Sequence, residues 1–233
     1  MNLYVGTSGY SYKEWKGSFY PERLPPKEML SYYAERFKAV ELNNTFYRLP
    51  KPEMVESWNA QVPNDFRFTM KASQGITHFR RLKDATGATR LMLERFAGFA
   101  DRLGAVLFRL PEDFKKDLGR LETFLKDLPA QTPAVFEFRH ESWFDDEVLA
   151  LLRSHKRVLC VSDRDEMPLD HIDKTADWGY VRLRRVNYSD SDLKAWIKRI
   201  KAQKWKDTYV FFKHEDEATG PKLAARFIKL ATD

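Results

Sequence analysis

The sequence predicts an α/β protein built as a single (β/α)8 barrel, a TIM barrel, over residues 1–233, on three observations. Eight short β-branched or aromatic runs recur along the chain, helical-period stretches separate most of them, and the runs carry polar or charged residues near their C-terminal ends. Strands separated by helical segments pair in parallel through right-handed crossovers. Eight of them favour a closed barrel over an open doubly wound sheet. An open dinucleotide-binding sheet would also want a Gly-x-Gly-x-x-Gly first turn. Gly6-Thr7-Ser8-Gly9 lacks that spacing, so no nucleotide cofactor is expected.

In order, the runs are LYVGTSG from Leu3, AVELNNTFY from Ala39, FRFTMKAS from Phe66 and AVLFRLP from Ala105. AVFEFRH from Ala134, VLCVSD from Val158, GYVRLRR from Gly179 and TYVFFKHE from Thr208 follow. Between the first two, residues 26–38 open on proline and glutamate and repeat Met29, Leu30, Tyr33 and Phe37 on one side, the pattern of an amphipathic helix. Further helices are predicted over 91–103, on Leu91, Leu93, Phe96, Ala97 and Ala100, and over 118–128. A helix over 145–153 starts with two aspartates, which suit the positive helix end. One over 190–202 opens on Ser189-Asp190 and repeats Leu193, Trp196, Ile197 and Ile200, and one over 217–230 closes the chain. The segments after the second and sixth runs read as shorter or irregular, punctuated by Pro52, Pro63 and Pro168.

Composition sets bounds on function. A hydrophobic share of 43% can fill a core. No apolar run approaches the roughly 18 residues that span a bilayer, and no secretory leader is visible, so a cytoplasmic protein with no membrane partner is expected. The single cysteine, Cys160, excludes an internal disulfide and reads as a buried inert thiol. A net charge of +6 favours acidic partners in general. Much of it is local to Lys194, Lys198, Arg199, Lys201, Lys204 and Lys206, which read as a solvated helix face.

Successive side chains on a strand face opposite ways, so in Val135-Phe136-Glu137-Phe138-Arg139 the phenylalanines share one face and the charges the other. If the apolar face points to the helices, the interior receives Glu41, Asn43, Thr45, Lys71, Arg109, Glu137, Arg139, Asp163, Arg182, Arg184, Lys213 and Glu215. Six of these are cations and four are carboxylates, a surplus that argues for an anionic ligand, phosphate or carboxylate first. Glu137, Lys71 and Glu41 are the catalytic candidates: Glu137 and Lys71 for acid/base chemistry, with Glu41 and Asn43 orienting a substrate. Arg182, Arg184 and Lys213 belong to the last two runs, which often frame a barrel phosphate site. Asn43, Thr45, Arg109, Arg139 and Asp163 complete the expected binding set.

His78, His140 and His214 fall near strand ends, but no His-Glu-x-x-His or paired-cysteine spacing exists. A divalent metal on Glu41, Glu137 and Asp163 stays open without being favoured. The first loop holds Tyr10, Tyr12, Trp15, Phe19 and Tyr20. Either its rings, Tyr10 and Trp15 among them, stack on a base or sugar face over the mouth, or Trp15 and Phe19 anchor the loop on the first helix.

Gly-Thr-Ser-Gly-Tyr-Ser-Tyr-Lys-Glu-Trp from Gly6, Glu-Leu-Asn-Asn-Thr-Phe-Tyr from Glu41 and Lys-Ala-Ser-Gln-Gly-Ile-Thr-His from Lys71 together resemble the YecE-like family, domain of unknown function 72. Leu-Gly-Ala-Val-Leu-Phe-Arg-Leu-Pro from Leu103, Glu-Phe-Arg-His-Glu-Ser-Trp from Glu137 and Tyr-Val-Arg-Leu from Tyr180 extend the resemblance over nearly the whole chain. It implies a (β/α)8 barrel and no established reaction, with a fold-level likeness to xylose-isomerase-like barrels that include a metal-dependent DNA-repair endonuclease. Many members look like Arg-x-His-Gly where this chain has Arg182-Leu183-Arg184-Arg185, and carry an asparagine pair where Lys213-His214 stands. Both departures add positive charge. Three functions stay open: an enzyme acting on a small phosphorylated or carboxylated metabolite, a nucleic-acid-binding or processing protein, and a non-catalytic sensor or scaffold. The oligomeric state is not legible.

Overall fold

A computed structural model describes residues 1–165, 171–213 and 218–232. The strands are β1 (Asn2–Ser8), β2 (Ala39–Leu42), β3 (Arg67–Lys71), β4 (Leu103–Arg109), β5 (Ala134–Glu137), β6 (Val158–Leu159), β7 (Val161–Asp163), β8 (Gly179–Leu183) and β9 (Asp207–Phe212). All pair in parallel, in the order β6-β5-β4-β3-β2-β1-β9-β8-β7. The two ends of that order are consecutive pieces of the VLCVSD run. Between them Cys160 donates its N–H to the Phe136 carbonyl at 2.8 Å. The sheet therefore closes on itself, an eight-position barrel whose sixth position is broken at Cys160.

Helices α1 (Met29–Ala34), α2 (Pro52–Ala60), α3 (Thr86–Phe96), α4 (Leu118–Asp127), α5 (Asp146–Ser154), α6 (Asp190–Ala202) and α7 (Thr219–Thr232) cover the outside. Local chemistry sets their starts. Asp117 accepts the Arg120 N–H at 3.0 Å, Asp145 accepts the Val148 N–H at 3.0 Å, and Ser189 and Asp192 form a reciprocal capping box. The segment after β2, expected to be shorter or irregular, contains the nine-residue helix α2, with Pro52 preset for its first turn. The helix expected over 91–103 is α3, which starts earlier and ends at Phe96. Its buried face is Thr89, Met92 and Phe96, while Leu91 is exposed. A buried threonine hid that face from a search for apolar spacing, and Leu103 begins β4 instead. No helix occurs among the described residues between β7 and β8. His214, Glu215, the expected helix start Glu217 and Pro168 lie outside the described residues.

Apolar packing is divided in two. The larger cluster lies between sheet and helices, with Val40, Phe68, Phe108, Phe136, Val181 and Val210 among its strand residues. The smaller fills the barrel with Ala39, Ala105, Leu107, Val135, Cys160, Tyr180 and Phe211. These inner side chains are the floor on which the polar mouth stands. Burial pushes the Cys160 thiol well up, as an inert core cysteine requires. Near the mouth, the Tyr33 hydroxyl inserts into the ladder between β1 and β2. It accepts from the Thr7 N–H at 2.8 Å and donates to the Ala39 carbonyl at 2.9 Å. Only glycine fits at position 6, since an added Cβ would stand 1.9 Å from that same carbonyl oxygen. No described helix is long and apolar enough to cross a membrane.

Candidate functional site

Strand parity brings Glu41 of β2, Lys71 of β3, Arg109 of β4, Glu137 of β5 and Arg182 of β8 to one mouth of the barrel. Arg182 is the hub. Its guanidinium donates from Nη1 to Glu137 Oε2 at 2.6 Å and from Nη2 to Glu41 Oε1 at 2.8 Å. The Tyr180 hydroxyl donates to the other oxygen of Glu41 at 2.7 Å and meets Thr69 Oγ1 at 3.0 Å. Arg182 is 2% exposed, and Glu41, Glu137 and Tyr180 are fully buried. Burial by itself would raise both carboxyl pKa values, yet Arg182 reverses the sign. Glu137 is pulled down to about 2 by Arg182, with Arg109, Arg184 and Arg139 adding to it. Glu41 is lowered by Arg182 and by the Tyr180 hydroxyl. Both carboxylates are ionised at neutral pH, and Glu137 is too weak a base for efficient proton abstraction there.

The cations outnumber their partners. Glu137 Oε1 has no hydrogen bond and lies 3.6 Å from Arg139 Nη1 and 3.7 Å from Arg184 Nη1. Arg139 also reaches Glu112 at the rim through Nη2. Even so, Nε of Arg109, Nε and Nη1 of Arg139, and Nε and Nη1 of Arg184 are buried without a hydrogen-bond partner. Burial and the neighbouring Arg182 lower Arg184 to about 10. Lys71 is 8% exposed, with its ammonium 4.0 Å from the centre of the Phe46 ring and no ion pair among the described residues. Burial, then Arg109 and Arg182, depress it to about 8. His78 stands at the edge of the same ring, centroids 4.8 Å apart, and its Nδ1 lies 2.9 Å from Thr77 Oγ1. Burial lowers its pKa, and Arg109 and Lys71 lower it further.

Of the other expected site residues, Asn43 adjoins the centre, its Nδ2 3.4 Å from Glu41 Oε1. Thr45 is buried and spends its hydroxyl on the Lys71 carbonyl at 2.7 Å and the Leu42 carbonyl at 3.1 Å, so it braces the β2–β3 junction. Lys213 follows β9 half-buried, its N–H on the Leu183 carbonyl at 3.3 Å. One expected placement is corrected. Asp163 faces outward: its Oδ2 accepts from Arg185 Nε at 2.9 Å, the Tyr188 hydroxyl at 3.0 Å and Trp196 Nε1 of α6 at 3.1 Å. Ser162 takes the inward position beside Arg182. With Asp163 gone from the mouth and both glutamates bound to Arg182, the three carboxylates do not assemble as a metal set.

Trp15 is 1% exposed, enclosed by Tyr12, Phe19 and Tyr20, so it anchors the first loop and does not face a ligand. Tyr10 packs with it in the outer cluster, against Tyr33. Sequence reasoning passed over Thr69 and Tyr180, and weighed His78 only as a metal ligand. The signal for the first two was present, because each precedes an inward cation, Lys71 or Arg182, by two residues.

The family model "Protein of unknown function DUF72" matches residues 4–233. UPF0759 protein YecE of Escherichia coli K12 is 34% identical over 143 residues, covering 61% of this chain and 50% of that protein. The chain thus spans about half the length of this curated relative. UPF0759 protein YunF of Bacillus subtilis 168 is 22% identical over 227 residues, 92% of this chain and 79% of that one. A DUF72 family protein of Thermotoga maritima MSB8, known from its crystal structure, superposes with a TM-score of 0.88 at 29% identity, covering 100% of both chains. D-Psicose 3-epimerase from Clostridium cellulolyticum H10, solved with D-tagatose, gives 0.60 at 11% identity over 100% of this chain and 98% of its own. That likeness carries the fold alone. With its model matched from residue 4 to residue 233, the DUF72 family is the one to which this chain belongs.

Proposed function

We propose that the barrel mouth binds a small phosphorylated or carboxylated metabolite, whose anionic group is taken by Arg109, Arg139 and Arg184. One observation carries this reading: those three guanidiniums keep buried N–H donors without hydrogen-bond partners, around a centre where, among the described residues, five cations meet two buried carboxylates, Glu41 and Glu137, with Glu112 only at the rim. Unpaired buried donors cost free energy, and an oxyanion with several acceptor oxygens satisfies many at once. Arg182, expected to share the capture, is instead the internal counter-charge. Proton transfer falls to Lys71, since its depressed pKa of about 8 lies closer to neutrality than that of Glu137, about 2. Nucleic acid gains less support. Trp15 is enclosed, and the exposed lysines of α6 line the outer helical layer, away from the mouth.

The test is calorimetric titration at low ionic strength with inorganic phosphate, a sugar phosphate, a dicarboxylate and the neutral parent sugar. Phosphate and the phosphorylated or carboxylated compounds are expected to bind and the neutral sugar not. Arg184→Gln should weaken phosphate binding by roughly 10- to 100-fold, the worth of a hydrogen bond from a charged donor. Equal binding of the neutral sugar, or affinity for oligonucleotides alone, would overturn the proposal.

A further inference from the structure

Lys71 differs from the other cations of the mouth in what it lacks. Its ammonium has no carboxylate within ion-pair distance among the described residues; it sits over the Phe46 ring at 4.0 Å, nearly excluded from solvent. A lysine meant to hold the fold together would be paired with Glu41 or Glu137, but Glu41 pairs with Arg182, and Glu137 with Arg182, Arg139 and Arg184. A lysine meant only to bind phosphate would be better left fully charged. Here burial and two neighbouring guanidiniums work against the charge and outweigh the pull of Glu41 and Glu137. His78, with its Nδ1 at Thr77, packs on the edge of the same phenylalanine.

We infer that Lys71 is a nucleophile that forms an imine with the carbonyl carbon of a phosphorylated aldehyde or ketone. The inference rests on the anion reading above, since Arg109, Arg139 and Arg184 would hold the phosphate while the carbonyl meets Nζ. The neutral amine adds to the carbonyl carbon, the C–N bond forming as the C=O π pair moves to oxygen. One N–H proton passes to that oxygen to give the carbinolamine, and the second N–H proton is lost when the imine forms, so that both leave with the water. Protonation of the carbinolamine oxygen lets it leave as water, and the nitrogen lone pair completes the C=N bond. No oxidant or further reactant is needed. Water can supply the proton to the departing oxygen.

The ordinary lysine pKa near 10.4 leaves roughly one amine in 2,500 unprotonated at pH 7, whereas a value of about 8 leaves roughly one in ten. Trapping should therefore be selective. The full chain is incubated with glyceraldehyde 3-phosphate and cyanoborohydride at pH 7, and labelled peptides are timed by mass spectrometry. Phosphate binding to the same protein is measured separately by calorimetry. Lys71 is expected to be reduced onto the sugar about a hundredfold faster than surface lysines, with inorganic phosphate slowing it and Lys71→Met removing it. If phosphate binds but Lys71 labels no faster than the surface, the imine inference fails and the anion reading stands. Fast labelling that phosphate neither binds against nor slows would keep the nucleophile and overturn the anion reading. Neither signal would sink both.

Discussion

Replacing Arg182 with methionine is expected to cost about 3–5 kcal/mol of folding stability, because it strands two buried carboxylates without their shared counter-charge. That is a large part of the roughly 5–15 kcal/mol that separates a domain of ordinary stability from its unfolded state. Two separate nitrogens of one planar fork serve Glu137 and Glu41, at 2.6 and 2.8 Å. Arg182→Lys should therefore recover little, since a single ammonium cannot reproduce that fork. Adding Glu41→Gln and Glu137→Gln to Arg182→Met should restore a good part of the loss by removing the stranded charges. Urea denaturation followed by circular dichroism reads all of these. A loss below about 1 kcal/mol for Arg182→Met would falsify the role of hub.

Glu137→Gln is the second large effect, and it acts with the opposite charge sign. The carboxylate is the common neighbour of Arg182, Arg139 and Arg184 and lies close enough to Arg109 to be influenced by it. Its amide would leave those cations facing one another and would bring an NH2 among donors that already lack acceptors. A cost of about 3 kcal/mol is expected, which in a chain of this length lowers Tm by about 6–12 °C. Phosphate should repair more of this variant than of the wild type, since it returns negative charge to the same place. A thermal melt with and without phosphate, at matched ionic strength, gives the comparison; equal shifts in the two proteins would count against the anion site. The acid limb should change as well. The Glu137 carboxyl is depressed in the folded state, so its contribution is complete above its ordinary 4.5 and is lost as pH falls toward about 2. The glutamine variant should show a shallower loss of stability across that window.

Much of the barrel was legible because its signal is local. Apolar runs separated by helical spacing need no knowledge of partners, and α6 could be placed at Asp190–Ala202 from Ser189-Asp190 and its buried stripe. Alternation likewise collects Glu41, Lys71, Arg109, Glu137 and Arg182 on one face. Asp163 was misplaced because the VLCVSD run has a polar residue at each parity, Ser162 and Asp163. The choice between them is made by Trp196 and Tyr188, more than twenty residues away. Trp15 was ambiguous for a similar reason: its ring contacts extend to residues a turn away in either direction, and only packing shows that they enclose it. Pairing was out of reach altogether. Nothing in the spacing of Glu41, Glu137 and Arg182 says that one guanidinium takes both carboxylates and leaves three others with unmet donors.

The central ion cluster also sets an order in time. Glu41 and Glu137 emerge from the ribosome well before Arg182, and β1 must await β9, which follows it by about two hundred residues, before its free edge is covered. Until then the nascent chain holds two carboxylates that cannot be taken from water, so the first five strands gain little by closing over them. The barrel is thereby committed late, and as a unit, once residue 182 can reach the mouth. Chains arrested before Gly179 should remain sensitive to dilute protease along their whole length, whereas those extended past α7 should become resistant in one step. A protease-resistant core in the shorter chains would show that the first half closes without its counter-charge.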